Sequence, residues 1–226
     1  MNVENLAILL LCIVIASVAQ AAVTSAYTKN LKIFNSKGIT GFQAASNFLH
    51  NNGIYDVEII AINGVLSDHY DPSKKQLSLS KDVYFGNSIS SVAIACHEVG
   101  HAIQDYEKYK ALRFRNSMVP ITRISSGLSW ILIFAGIIFG ILDLLYVGLI
   151  MFGIVAFFQL VTLPVEFNAS NRAIKYLESD VLDYEELKGA RRVLNAAALT
   201  YVAALITSLL QIARFLMIFG GRSSRR

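Results

Sequence analysis

The chain has 226 residues, of which 54% are hydrophobic and only 16% are charged, and its formal net charge is +4. This balance is typical of an integral membrane protein and disfavours a soluble globular domain. No basic patch with interleaved aromatic residues indicates nucleic-acid binding, and two cysteines are too few for a disulfide framework.

The first predicted element is a membrane helix at the start of the chain. Residues 6–27 are uncharged and long enough to cross a bilayer. They also resemble a secretory signal, because Ala19-Gln20-Ala21 could be a cleavage site. However, the first five residues include Glu4 and no Lys or Arg, whereas a signal peptide begins with basic residues. We therefore predict a retained anchor over residues 1–27.

A soluble α+β segment is predicted for residues 28–117. Apolar periodicity and turn residues predict one helix and three strands, at 38–52, 56–63, 65–70 and 76–80. An edge of this sheet could hold a peptide substrate in extended form. The sheet could equally serve only to pack against the helix that follows it.

The helix after the sheet contains His97-Glu98-Val99-Gly100-His101, a pattern expected by chance only about 0.003 times in this chain. The run from Ser90 to Arg115 lacks proline and predicts one helix, with Asn87 or Ser88 as its N-cap. Two histidines four residues apart share a helix face and can bind one Zn²⁺. A glutamate beside the first histidine can reach a water on the metal. The motif therefore predicts a water-activating zinc site with Glu98 as the base.

Three more membrane helices are predicted after this motif. Residues 127–163 are apolar apart from two side chains, and as one straight helix they would extend about 55 Å, beyond a bilayer core of about 30 Å. Two spans that turn near Asp143 fit better and form a hairpin over 118–163. Residues 194–220 predict the fourth span, which precedes a basic tail at 221–226.

Four spans place residues 28–117 and 164–193 on one side of the membrane. If Arg123 is included, these segments carry 11 and 5 Lys or Arg residues, whereas the other side holds three arginines in the tail. The positive-inside rule therefore predicts that the large segments are cytoplasmic, although the basic tail opposes this orientation.

A catalytic zinc site needs a third protein ligand, and three acidic residues are candidates for that position. Glu107 follows His101 by six residues, but a continuing helix carries it off the histidine face. Asp105 stays on that face, about 12 Å from His97 along the helix axis. Glu166 fits better, because a helix is predicted to restart at Pro164 where the third span emerges on the histidine side.

The chain also resembles a bacterial family of membrane neutral zinc metallopeptidases over roughly residues 38–213. The resemblance is carried by these stretches, in order: NGIYDVEI, LSDHYDPSKKQLSLS, HEVGHAIQ, LPVEFNASNRA and GARRVLNAAALTYVAA. More distantly, a HExxH helix followed by two spans and a glutamate is similar to the membrane gluzincins of bacterial quality control and prenyl-protein processing.

This resemblance implies an α-helical integral membrane protein with a small zincin-like α+β catalytic domain in the bacterial plasma membrane. It also implies a zinc endopeptidase with one Zn²⁺ per chain on His97, His101 and Glu166. Gluzincins often have an aspartate four residues after the ligand glutamate, where this chain has Ser170. Ser170 or Asn171 is the expected replacement as the partner of His97.

Several points stay open at the level of sequence. The expected substrate is a peptide or a membrane protein, and the oligomeric state is undetermined. The oxyanion donor could be His69, Arg172 or Tyr201. A processor of one lipidated or membrane partner is an alternative to a general peptidase. A non-catalytic scaffold or chaperone is another, if Cys96, His69 or Asp105 closes a structural zinc site as the fourth ligand.

Overall fold

The computed structural model describes residues 3–223, and most of them are helical. Residues 224–226 of the predicted basic tail lie outside the described residues, as do the first two residues of the chain. The elements in chain order are α1 Val3–Leu31, α2 Gly41–Asn51, β1 Glu58–Ile62, β2 His69–Asp71, β3 Gln76–Ser80, α3 Lys81–Tyr84, α4 Ile89–Tyr106, α5 Lys110–Phe139, α6 Leu142–Asp180 and α7 Tyr184–Ser223.

Four of these helices are long and apolar enough to cross a membrane. The candidate spans are Asn5–Leu31, Lys110–Phe139, Leu142–Asp180 and Tyr184–Ile218, with mean hydropathies of 2.7, 1.7, 2.4 and 1.9. The prediction of four membrane helices is therefore confirmed by length and composition. Each helix extends beyond its predicted span, since the structure continues the helices into the polar segments.

The chain divides into two compact units. A helical unit comprises Met1–Gln20, Phe114–Leu163 and Thr200–Arg226, and an α+β unit comprises Ala21–Arg113 and Pro164–Leu199. In the helical unit, Trp130 packs against Phe134, Phe152 and Phe215. The predicted turn near Asp143 lies slightly earlier, at Gly140, whose φ of +68° favours glycine.

The prediction that a helix restarts at Pro164 is wrong, because α6 runs unbroken from Leu142 to Asp180. A proline inside a helix removes one backbone hydrogen bond, at a cost of about 3 kcal/mol. The small side chains that follow it, Val165, Ala169 and Ala173, are completely buried. Their burial offsets that cost, so the chain stays helical through Pro164.

The sheet of the α+β unit has the strand order β1-β3-β2, with β1 parallel and β2 antiparallel to β3. The predicted strand at 65–70 is largely wrong, since β2 begins only at His69. The Asp68 carboxylate accepts hydrogen bonds from the Ser80 backbone N–H (2.7 Å) and hydroxyl. This side chain therefore occupies the N–H group with which a longer β2 would pair.

Helix α4 begins as predicted and ends earlier than predicted. The Ser88 side chain accepts a hydrogen bond from the Ser91 N–H and caps the helix. The helix ends at Tyr106 rather than continuing to Arg115, because Lys108 adopts a left-handed conformation (φ +55°). The Tyr109 N–H then donates to the Gln104 carbonyl, as in a Schellman motif. Glycine usually occupies the position of Lys108 in that motif.

Candidate metal centre

Helix α4 places the two histidines of the motif one turn apart on one face. Their ring centroids are 4.9 Å apart, and both rings are mostly buried. Because the rings lie almost perpendicular to each other, their Nε2 atoms can converge on one point. That point is where α6 contributes an acidic side chain.

Glu166 of α6 lies between the two rings. Its Oε2 atom is 3.3 Å from His97 Nε2 and 3.6 Å from His101 Nε2. The Glu166 side chain is only 5% exposed. These three residues form the one group of potential metal ligands found within residues 3–223.

The three residues fit a zinc ion. Zn–N and Zn–O bonds near 2.1 Å in a tetrahedron place neighbouring ligand atoms about 3.4 Å apart, close to the two measured distances. All three ligand atoms lie within 4.8 Å of one another. The set of two imidazoles and one carboxylate is typical of catalytic zinc, in which a fourth position stays open.

The three residues considered as a fourth ligand have other surroundings. Cys96 is fully buried, and burial raises the pKa of its thiol. The Asp105 carboxylate accepts hydrogen bonds from the Tyr70 hydroxyl and from Lys75 Nζ, each at 2.9 Å. His69 is exposed, and its Nδ1 atom lies 2.9 Å from the Ser67 carbonyl. None of the three joins the cluster in the described part of the chain.

Each histidine has a partner on its other ring nitrogen. His97 Nδ1 lies 3.1 Å from the Ser170 hydroxyl, as expected when Ser170 replaces the usual aspartate. His101 Nδ1 lies 3.1 Å from Oε1 of Gln104, which is completely buried. Gln104 is a site residue that the sequence alone did not predict. A polar residue three positions after a ligand histidine, on the same helix face, was the signal.

Glu98 lies beside the first histidine and is partly buried. Burial raises the pKa of its carboxyl, and the neighbouring His97 and His101 act in the opposite direction. A carboxylate with a raised pKa holds a proton more readily than an exposed one. This property suits a group that accepts and returns a proton near neutral pH.

Arg172, one of the candidate oxyanion donors, bonds to other side chains. The Arg172 guanidinium bonds to both Glu107 carboxylate oxygens (2.9 and 2.6 Å) and to the Asn168 side chain (2.8 Å). The hydrogen bonds from Arg172 lower the pKa of Glu107, and Glu107 is not among the three clustered residues. Tyr201 belongs to the helical unit, and the roles of His69, Arg172 and Tyr201 as oxyanion donors stay predictions.

The close approach of α4 and α6 at Gly100 yields a test of the site. A Cβ atom at Gly100 would lie 2.7 Å from the Ala169 carbonyl oxygen and 3.0 Å from its Cα. We expect Gly100→Ala to push the helices apart, to cost about 1–3 kcal/mol of stability and to weaken zinc binding about tenfold or more. Zinc titration and thermal unfolding measure both effects. Gly127→Ala, where a Cβ meets nothing within 4 Å, is the matched control. Equal zinc affinity and equal thermal stability in the two variants would contradict the expectation.

Comparisons with known proteins identify a family and one similar protein. The family model described as "Putative neutral zinc metallopeptidase" matches residues 5–220. A Bacillus subtilis (strain 168) protein described as "Putative membrane protease YugP" is 46% identical over 202 residues, which cover 89% of this chain and 90% of that protein. No solved structure is significantly similar to the chain. The zincin-like fold class therefore stays a prediction.

Proposed function

Because this chain belongs to the family described as "Putative neutral zinc metallopeptidase", we propose that it is a zinc-dependent endopeptidase embedded in the bacterial plasma membrane. His97, His101 and Glu166 are the proposed ligands of one zinc ion per chain. The observation that carries this proposal is the buried cluster of three ligands from α4 and α6. A cluster of three leaves a position for water and substrate, which catalytic zinc requires.

The proposed chemistry is peptide hydrolysis with Glu98 as the general base. A bound zinc ion supplies a Lewis acid, which polarises the scissile carbonyl and makes water nucleophilic near neutral pH. Glu98 accepts the proton of the attacking water and delivers it to the leaving amine. Ser170 and Gln104 orient the two histidine rings through their Nδ1 atoms.

The proposed substrate lies extended along the edge of the sheet. β2 is an edge strand, and the Tyr70 hydroxyl joins it to α4 through Asp105 at 2.9 Å. A peptide that pairs with this edge would present its backbone beside the site helix. Membrane proteins or lipidated peptides are the proposed substrates, in processing or quality control.

We propose that the α+β unit is cytoplasmic. The excess of Lys and Arg in 28–117 and 164–193 supports this orientation. A cysteine introduced at the exposed His50 tests it. An impermeant thiol reagent should label that cysteine only after lysis, and labelling of intact cells would contradict the proposal.

Removal and return of the metal tests the activity itself. We expect purified protein to cleave casein or membrane-protein substrates, to lose cleavage with a chelator, and to regain it when zinc is added. Preference for membrane substrates over casein would support a dedicated processor. Stoichiometric zinc with no cleavage of either class would favour the non-catalytic scaffold, and cleavage that persists without metal would contradict zinc catalysis.

A further inference from the structure

A chain of hydrogen bonds leads from His101 to the protein surface. His101 Nδ1 contacts Gln104 Oε1 at 3.1 Å, and Gln104 Nε2 donates to the Asn168 side-chain oxygen at 3.0 Å. The same Asn168 oxygen accepts a bond from Arg172 Nε at 2.8 Å. Arg172 ends the chain in a two-pronged ion pair with Glu107. Glu107 and Arg172, a candidate ligand and a candidate oxyanion donor from the sequence, are paired with one another in the structure.

Gln104 also connects the two helices that supply the ligands. Its Nε2 atom donates a second bond, of 2.8 Å, to the Val165 carbonyl, in the peptide bond that directly precedes Glu166. The side chain is 0% exposed, so protein groups alone satisfy its hydrogen-bonding capacity. One amide therefore contacts a ligand ring of α4 and the backbone beside the ligand carboxylate of α6.

The partners leave each amide only one orientation. The Val165 carbonyl can only accept, so the NH₂ group of Gln104 must face it. Arg172 can only donate, so the carbonyl oxygen of Asn168 must face Arg172 and Gln104. Gln104 then presents its oxygen to His101, whose Nδ1 atom must carry the proton. The His101 Nε2 lone pair is left for a metal.

We propose that Gln104, held by Asn168 and the Arg172–Glu107 pair, is a positioning residue that fixes the metal-binding tautomer and ring orientation of His101. This inference rests on the proposed zinc site. His97 lacks the same constraint, because the Ser170 hydroxyl can donate or accept. The two ligand histidines are therefore held unequally, and zinc affinity depends more on the partner of His101 than on the partner of His97.

The first test measures metal affinity directly. Gln104→Met keeps the side-chain volume and removes every hydrogen bond, and Ser170→Ala removes the single bond to His97. We expect zinc affinity, measured by competition with a chelator, to fall about 10- to 100-fold in Gln104→Met and less in Ser170→Ala. The visible spectrum of the Co²⁺-substituted protein should change in Gln104→Met, because the His101 ring reorients.

The outer end of the chain provides a second test that leaves the core intact. Glu107 is about half exposed, so Glu107→Gln should fold normally. We expect it to weaken zinc binding by about 1.5- to 5-fold, the range for an exposed ion pair. Glu185→Gln is the matched control, since it breaks the exposed Lys188–Glu185 pair, whose residues are outside this chain of bonds. In a Gln104→Met background, Glu107→Gln should have no further effect, because the link to His101 is already broken.

The outcomes separate this inference from the proposed function. Wild-type protein that binds no stoichiometric zinc would overturn the zinc site and this inference together. Wild-type protein that binds zinc, with unchanged affinity in Glu107→Gln or in a folded Gln104→Met, would overturn only the role of Gln104. If Gln104→Met does not fold, the zinc affinity of Glu107→Gln relative to that of Glu185→Gln decides whether Gln104 has this role.

Discussion

Replacement of Glu98 with Gln is expected to leave one zinc ion bound per chain and to lower peptide hydrolysis by about 10²–10⁴-fold. Glutamine has nearly the same shape as glutamate but cannot accept the proton of the attacking water. Because Glu98 is not one of the three clustered ligands, its charge is not needed to hold the metal. Initial rates on a peptide substrate measure the loss of hydrolysis, and metal analysis of the same preparation measures the zinc bound per chain.

A surface carboxylate controls for a general loss of negative charge. Glu58→Gln alters an exposed residue of β1 and should retain wild-type turnover. Turnover near the wild-type rate in Glu98→Gln would remove Glu98 from the role of base. Loss of zinc together with activity would instead indicate that Glu98 supports the metal.

Replacement of Glu166 with Ala is expected to abolish stoichiometric zinc binding. The substitution removes one of three ligands and leaves the two histidines facing a cavity. Loss of a direct ligand should exceed the 10- to 100-fold loss of affinity that is typical of a residue that only orients a ligand. Metal analysis of purified Glu166→Ala, with His97→Ala beside it, should show both proteins without stoichiometric zinc.

The neighbouring Asn171 provides the matched control for α6. It is exposed on the same helix, so Asn171→Ala should bind zinc as the wild type does. Glu166→Gln adds a finer comparison, because the amide keeps the length of the side chain but loses its charge. Zinc affinity should fall in this order: wild type, Glu166→Gln, Glu166→Ala. Equal zinc content in all three would place the metal elsewhere.

The elements that sequence predicts well are those that depend on nearby residues. The four candidate spans follow from composition, since a helix in lipid needs about 20 consecutive apolar residues. The start of α4 follows from the capping preference of Ser88. The location of His97 and His101 on one helix face follows from the helical repeat of 3.6 residues.

Of the predictions that were wrong, two depended on packing or on a distant partner, and the end of α4 depended on the backbone conformation of one residue. α4 ends at Tyr106, where Lys108 adopts a left-handed conformation. Glycine usually occupies such a position, so a lysine there does not indicate the end of a helix in the sequence. Pro164 lies inside α6 although proline usually ends a helix, because the residues after it are buried. β2 is short because Asp68 binds Ser80 across the sheet. At Pro164 burial outweighed a local preference of about 3 kcal/mol, and at Asp68 a bond across the sheet replaced strand pairing.

The amino-acid sequence by itself determined which chemical groups are present and how they are spaced along each helix. It therefore indicated two imidazoles on one face, a glutamate beside them and the need for one more acidic ligand. Only the tertiary structure decided which polar groups meet across α4 and α6. Those contacts depend on the separation of the two helices and on their relative rotation. The separation is set by the close approach of Gly100 to the Ala169 backbone. No local rule specifies either quantity, so Gln104 and the Arg172–Glu107 pair became visible only in three dimensions.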